Sequence, residues 1–299
     1  MGIRTDLAIE STKIEGGIPQ KGVEIDQYRG GELSFTAVEV KTREAAQAIG
    51  KPVGRYITAE LSSPSDLAEA RTGEAAAIAG ELRRLLPQEG TVLVVGLGNR
   101  EITPDALGPL VISDVLATRH FEGRLMEESG LSSLRPVASL APGVLGQTGM
   151  ETGEIIRSVV GEIEPAAVIA IDALAARSLS RLGCTIQLAD CGIAPGSGVA
   201  NRRKELSQET LGVPVISMGI PTVVDGETLA FDLLYRPEGT SEESMEQLRQ
   251  MFQPQGRSMM VTPREVDQMV ERGAKLISMA INLALQPDLS AEEITYLLA

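Results

Sequence analysis

Two aspartates stand where acid chemistry would need them. Asp105 lies in Thr103-Pro104-Asp105-Ala106-Leu107-Gly108-Pro109, just before a segment of helical spacing that starts at Leu107. Asp172 follows the apolar run Ala166 to Ile171 and opens Asp172-Ala173-Leu174. A carboxylate at the end of an apolar run is costly to bury unless it is paired or functional. If the two converge, they cannot both ionise easily. One pKa rises, and the pair then offers an acid and a base near neutral pH. Activating water against a peptide carbonyl needs such a pair. Each acid also has an ordinary structural explanation: Asp105 as an N-cap or first-turn acid of the Leu107 helix, Asp172 as a loop acid capping the following turn.

Other chemistries are less well served. The chain has one histidine, His120, so the two-histidine zinc motif is absent, and its place after a predicted helix suits a C-terminal cation. No Gly-x-Ser-x-Gly elbow occurs. Cys184 and Cys191 read as buried small residues, and so few thiols point to a reducing compartment. Gly96-Leu97-Gly98-Asn99 begins like a dinucleotide fingerprint, but Glu101 stands where its third glycine belongs. A tight turn is the simpler reading, with Gly98 and Asn99 as loop support where a substrate backbone can approach closely. Ala194-Pro195-Gly196-Ser197-Gly198 is a turn or an anion-binding loop, with Ser197 at its centre and Asp190 before it as a reserve carboxylate.

The net charge of −14 opposes binding to phosphate backbones, so no direct nucleic-acid partner is expected. In the short basic run Arg202-Arg203-Lys204, Arg202 and Arg203 are candidates for meeting substrate carboxylates. No apolar segment follows the first residues as in a secretory signal. The longest uncharged apolar stretch, Leu211 to Val224, is too short to span a bilayer. A soluble protein with no membrane partner is expected.

The elements that must hold the two acids follow from the apolar pattern. Strands are expected at Leu33–Val40, Arg55–Leu61, Thr91–Val95, Val137–Leu140, Ala166–Ile171, Thr185–Ala189 and Val213–Met218. Helices are expected at Asp66–Leu86 with Ser65 as N-cap, Leu107–Thr118, Glu151–Glu162, Ser241–Met251, Pro263–Ala284 and Leu289–Leu298. Aromatics make up only 3% of residues and Trp is absent, so Ala, Val, Ile and Leu must build the core. The alternation implies an α/β fold, with a mainly parallel sheet and helices on both faces. In such sheets sites form beyond the carboxyl ends of the strands, where Gly96–Pro109, Asp172–Ala175 and Asp190–Gly198 are expected.

Five motifs in order carry a resemblance. Arg4-Thr5-Asp6-Leu7-Ala8-Ile9-Glu10, Val95-Gly96-Leu97-Gly98-Asn99, Thr103 to Pro109, Ile171-Asp172-Ala173-Leu174-Ala175 and Pro195-Gly196-Ser197-Gly198-Val199 together resemble the spore germination protease family. The resemblance implies an α/β fold similar to hydrogenase-maturation proteases, with aspartates matching Asp105 and Asp172 as the catalytic pair and no cofactor. It implies an endopeptidase that degrades small acid-soluble spore proteins and is made as an inactive, self-processing precursor. It also implies a homotetramer in the cytoplasm of the developing spore or the spore core. Family substrates are cut after an acid, before an apolar residue followed by Ala and then Glu. Thr5 to Glu10 repeats that layout, which places the processing cut between Asp6 and Leu7. Residues 1–6 are then a short propeptide and residues 7–299 a single peptidase domain. Two rival readings remain: a metal-dependent peptidase of the hydrogenase-maturation type, and a non-catalytic peptide-binding module.

Overall fold

A computed structural model of the protein describes residues 5–12, 20–61, 72–121, 134–194, 205–226, 229 and 259–299. Its strands are β1 (Val23–Gly30), β2 (Leu33–Val40), β3 (Gly54–Glu60), β4 (Val92–Gly96), β5 (Val137–Leu140), β6 (Ala167–Ala176), β7 (Thr185–Ala189), β8 (Val215–Asp225) and β9 (Met260–Val261). All belong to one sheet, in the order β1-β2-β3-β7-β8-β6-β4-β5, with β9 paired to β8.

The α/β class expected from the sequence is found, and the pairing divides the sheet into two halves. β5, β4, β6 and β8 run parallel, while β1, β2, β3, β7 and β8 pair antiparallel. Chain length explains the division. Residues 177–184 join β6 to β7, too few for the dozen or so that a parallel crossover requires. β7 therefore returns against β8. At the outer edge, β1 and β2 meet through the two-residue turn Gly31-Glu32, where Gly31 has φ +58°. The edge strand β1 carries Glu24, Asp26 and Arg29, charges that discourage pairing with another chain.

The helices are α1 (Ala8–Ser11), α2 (Arg43–Ile49), α3 (Thr72–Leu85), α4 (Leu107–Ser113), α5 (Leu145–Thr148), α6 (Thr152–Ile163), α7 (Gln208–Leu211), α8 (Val266–Leu285) and α9 (Ala291–Leu298). Strand residues alternate between two apolar layers, as the period of two demands. Val92, Val94, Ile169 and Ile171 pack under α3, α4 and α8, with Ile78, Leu82, Val111, Ile277 and Ile281. Leu93, Val95, Val168 and Ala170 pack on the other face, against Ile156 and Val160 of α6.

Several boundaries differ from the sequence reading. β6 does not stop at Ile171 but continues through Asp172 to Ala176, and β8 continues to Asp225. α4 ends at Ser113 rather than Thr118. The helix expected from Asp66 is described only from Thr72. Its proposed cap Ser65, and the helix expected at Ser241–Met251, lie outside the described residues. The sequence reading passed over β1 and α2, although α2 is bounded in the usual way. Thr42 accepts from the Ala45 amide at its start, and Gly50 is left-handed at its end.

Candidate active site

Asp172 sits inside β6 rather than at its exit. It is 6% exposed, and its Oδ1 accepts from the Ala173 amide at 2.9 Å. Across the sheet it aligns with Gly219 of β8, which aligns in turn with Gln187 of β7. Residues in one such row share a face, and strands lie about 4.8 Å apart. Asp172 and Gln187 therefore stand on either side of a position that has no side chain. A Cβ at Gly219 would come within 2.3 Å of the Asp172 carbonyl oxygen. The row leaves a gap about 9.6 Å wide between the two polar residues, spanning two strand spacings.

Asp105 reaches the same place by a different device. It ends the 3-10 turn Thr103–Asp105, which precedes α4. Three glycines let this turn lie against the end of β4. A Cβ at Gly96 would meet the Gly108 carbonyl oxygen at 2.2 Å, and one at Gly98 would meet that of Asp105 at 2.0 Å. Gly98 also holds φ +108°, a conformation that favours glycine. The Thr222 hydroxyl of β8 donates to the Pro104 carbonyl at 2.7 Å and ties the turn to the central strand. The N-cap of α4 is Ala106, which makes no side-chain bond. Asp105 Oδ2 accepts from the Asn99 amide at 2.8 Å. Asn99 is held by its own Oδ1, which accepts from Gln147 Nε2 and the Glu101 amide.

Asp105 and Asp172 line one cavity of about 460 Å³ together with Asp6, Lys51, Tyr56, Gly98, Gln187 and Glu205. The chain's own N-terminal segment runs into it. The Asp6 amide donates to the Ala175 carbonyl and its Oδ2 accepts from the Ala175 amide, both at 2.8 Å. The Asp6 carbonyl accepts from Gln187 Nε2 at 3.1 Å, and the Ala8 amide donates to Gln187 Oε1 at 2.7 Å. Leu7 is 0% exposed, among Ile9, Leu174, Ala176, Leu182 and Val224. The Glu10 carboxylate accepts from the amides of Arg177 and Ser178 at 2.7 and 2.9 Å and from the Thr5 hydroxyl, with Arg181 Nε at 3.6 Å. This stretch is thus part of the packed structure, not the loose polar start that chain termini usually make.

Burial is the main cause of the shifts of Lys51, Cys191 and Tyr56. It pushes the Lys51 ammonium below the usual lysine range, against the upward pull of Asp6, Cys191 and Glu10. Lys51 Nζ donates to the Thr5 carbonyl at 2.8 Å. Burial raises the Cys191 thiol to about 11, with a hydrogen bond from Tyr56 pulling the other way and Asp190 adding to the rise. It also lifts the Tyr56 hydroxyl well above the ordinary tyrosine range. A thiolate nucleophile is therefore disfavoured at Cys191. His120 lies tilted against Phe121, ring centres 4.2 Å apart, and does not line the cavity.

The remaining candidates separate clearly. Asn99 acts by holding Asp105, and Gly98 by admitting the turn. Asp190, the reserve carboxylate, is spent on β3: β7 runs against β8, and Asp190 Oδ1 accepts from the Arg55 amide at 2.7 Å. Ser197, Arg202 and Arg203 lie outside the described residues. Among the described residues, no group of three or more His, Cys, Asp or Glu is placed to hold a metal ion, and no helix is long and apolar enough to cross a membrane. The sequence reading missed Gln187, Lys51, Gly219 and Thr222. Gln187 carried a signal: it is an amide within the fully buried run Thr185–Ala189, and buried amides need partners.

A family model described as germination protease matches residues 5–235. The germination protease of Caldanaerobacter subterraneus subsp. tengcongensis is 42% identical over 323 aligned positions, covering 100% of this chain and 98% of that one. Those of Clostridium perfringens and Bacillus velezensis are 40% and 37% identical, covering 98% and 97% of this chain and 98% and 95% of theirs. A crystal structure of the [NiFe] hydrogenase maturation protease HycI from Thermococcus kodakarensis covers 67% of this chain and 98% of its own, with a TM-score of 0.36 at 16% identity. A family match over residues 5–235 and relatives 37–42% identical over nearly the whole chain place it in the germination protease family.

Proposed function

We propose that the protein is an endopeptidase that begins the degradation of small acid-soluble spore proteins during germination, with Asp105 and Asp172 as its catalytic pair. The observation that carries this reading is that both acids line the one cavity that the chain's own Asp6 enters. One carboxylate takes a proton from water as the water oxygen attacks the peptide carbonyl. The other, protonated, donates to the carbonyl oxygen or the departing nitrogen. Asp172 is buried and Asp105 half-buried, and such unequal surroundings suit unequal roles.

The same reading makes Asp6–Leu7 the processing bond, residues 1–6 a propeptide and residues 7–299 the peptidase domain. The Thr5 to Glu10 layout supports it, as does the seat this segment takes in the cavity. A homotetramer in the cytoplasm of the developing spore or the spore core completes the proposal, on the strength of family membership.

The test is to incubate the purified protein with a small acid-soluble spore protein, with and without a chelator, and to map the cuts. Cuts after an acid and before an apolar residue, unchanged by chelation, are expected. Activity lost on chelation and restored by a divalent metal would transfer the site to the metal-dependent reading. Binding without any cut would make it a peptide-binding module.

A further inference from the structure

We infer that Gln187 grips the peptide bond to be cut, polarising its carbonyl from one side while fixing the chain beyond it from the other. This inference rests on the reading above, in which Asp6–Leu7 is cleaved. Gln187 Nε2 donates to the carbonyl oxygen of Asp6, and Oε1 accepts from the amide of Ala8. The two halves of one side-chain amide thus bracket Leu7, as a neighbouring strand would bracket a residue with its N–H and C=O. The contacts are with backbone only, so a second polypeptide in this seat would be held in the same way whatever its side chains.

Three observations support a substrate role over a purely structural one. First, Gln187 is 7% exposed, and among the described residues both bonds that satisfy its amide come from residues 6–8 rather than from the sheet that carries it. Second, it shares a row with Asp172 across the gap at Gly219, and both line the cavity that Asp6 enters. Third, Asp6 is tied on its other side to Ala175 of β6. The segment therefore bridges β6 and β7 above β8, over the strand whose glycine leaves the space.

The chemistry needs a donor at this point. As the water oxygen bonds to the Asp6 carbonyl carbon, the C=O π pair moves onto the carbonyl oxygen, and a proton of the water passes to a carboxylate. The Nε2–H is already aimed at that oxygen and stabilises its growing charge. The C–N bond to Leu7 then breaks. Its electron pair stays on the Leu7 nitrogen, which takes a proton from the acid partner. One water is consumed, leaving an Asp6 carboxyl and a Leu7 amine.

The experiment uses the full-length chain and the variants Gln187→Leu and Gln187→Glu. Two rates are read: appearance of a chain beginning at Leu7, by intact mass, and turnover of a peptide containing Thr-Asp-Leu-Ala-Ile-Glu. For Gln187→Leu, a fall in kcat of about 10²–10³-fold is expected, the usual cost of losing one such donor. Gln187→Glu keeps the shape but loses the donor while ionised. Its activity relative to wild type should rise at least about tenfold from pH 7.5 to pH 5, as a carboxyl with a reference pKa of about 4.3 regains its proton. Taking the ratio to wild type at each pH removes the titration of Asp105, Asp172, Lys51, Asp6 and Glu205, which face the same cavity. A merely structural glutamine gives a flat ratio. If Gln187→Leu does not fold, the Gln187→Glu ratio decides. Near-normal kcat in Gln187→Leu, or a flat ratio in Gln187→Glu, overturns the role of Gln187. Wild-type protein that cuts neither itself nor the peptide overturns the peptidase reading itself, and the inference with it.

Discussion

Replacing Gly219 by alanine tests the close approach of β8 to β6 at the site. The added Cβ would lie 2.3 Å from the Asp172 carbonyl oxygen and 2.7 Å from Leu174 Cγ. An ordinary carbon–oxygen approach is about 3.3 Å, so β6 and β8 must part by about 1 Å at this row. The obstructing oxygen belongs to a strand flanked by β4 and β8, so it cannot swing aside like a side-chain tip. Overpacking of this kind costs about 3 kcal/mol, the upper end of the usual range. The same displacement moves Asp172 by about 1 Å, and an error of that size in catalytic geometry costs about 10²-fold in rate. Urea unfolding measures the first quantity and peptide turnover the second. Gly219→Ala should lose both together, and Gly219→Ser should do the same. A variant within about 0.5 kcal/mol of wild type with unchanged turnover would refute the claim that the row Asp172–Gly219–Gln187 is held tight, since surface changes stay within that margin.

Other expectations follow from the same geometry. Asp105→Asn and Asp172→Asn should each lower peptide cleavage by about 10²–10⁴-fold while leaving the far-ultraviolet circular dichroism unchanged, because the amide keeps the shape but cannot trade a proton. Near-normal turnover in either variant would reduce that residue to a structural one. Leu7→Ala should destabilise the full-length protein by about 2–5 kcal/mol in urea, the cost of emptying a fully buried leucine site; no change would mean that the segment is not docked in solution. Cys191, with its thiol raised to about 11, should be only about 0.1% thiolate at pH 8. Its alkylation, followed by peptide mass mapping, should therefore speed up about tenfold per pH unit up to pH 10, whereas an ordinary thiol levels off above about pH 8.5.

The sequence disclosed the parallel half of the sheet because those strands are buried on both faces. Val92–Gly96 and Ala167–Ile171 are unbroken apolar runs, and such runs are easily seen. The same signal hid where β6 ends, since an aspartate within a strand looks like punctuation after it. β1 was missed for the opposite reason: with one face in water and charges along it, Val23–Gly30 has no apolar run to see. Asp105 and Asp172 could be singled out because carboxylates beside apolar segments are costly. Their convergence depends on contacts between distant glycines, Gly96 with Gly108 and Gly219 with the Asp172 backbone, and no local pattern reports these. Gln187 acquires meaning only from its row. Read along β7 it is one of two polar residues in five; read across the sheet it stands opposite the acid.

β8 lies at the centre of the sheet, yet every other strand except the short β9 precedes it in the chain. During synthesis, β1, β2, β3 and β7 can assemble on one side and β5, β4 and β6 on the other, each group with one open edge waiting for the same partner. Only when Val215–Asp225 has left the ribosome can the two halves join, with Gly219 between Asp172 and Gln187 and Thr222 anchoring the Asp105 turn. A nascent chain shorter than that holds every acid of the site but not the strand that aligns them. Until β8 inserts, the facing edges of β6 and β7 stay unpaired, which exposes that interval to misassembly.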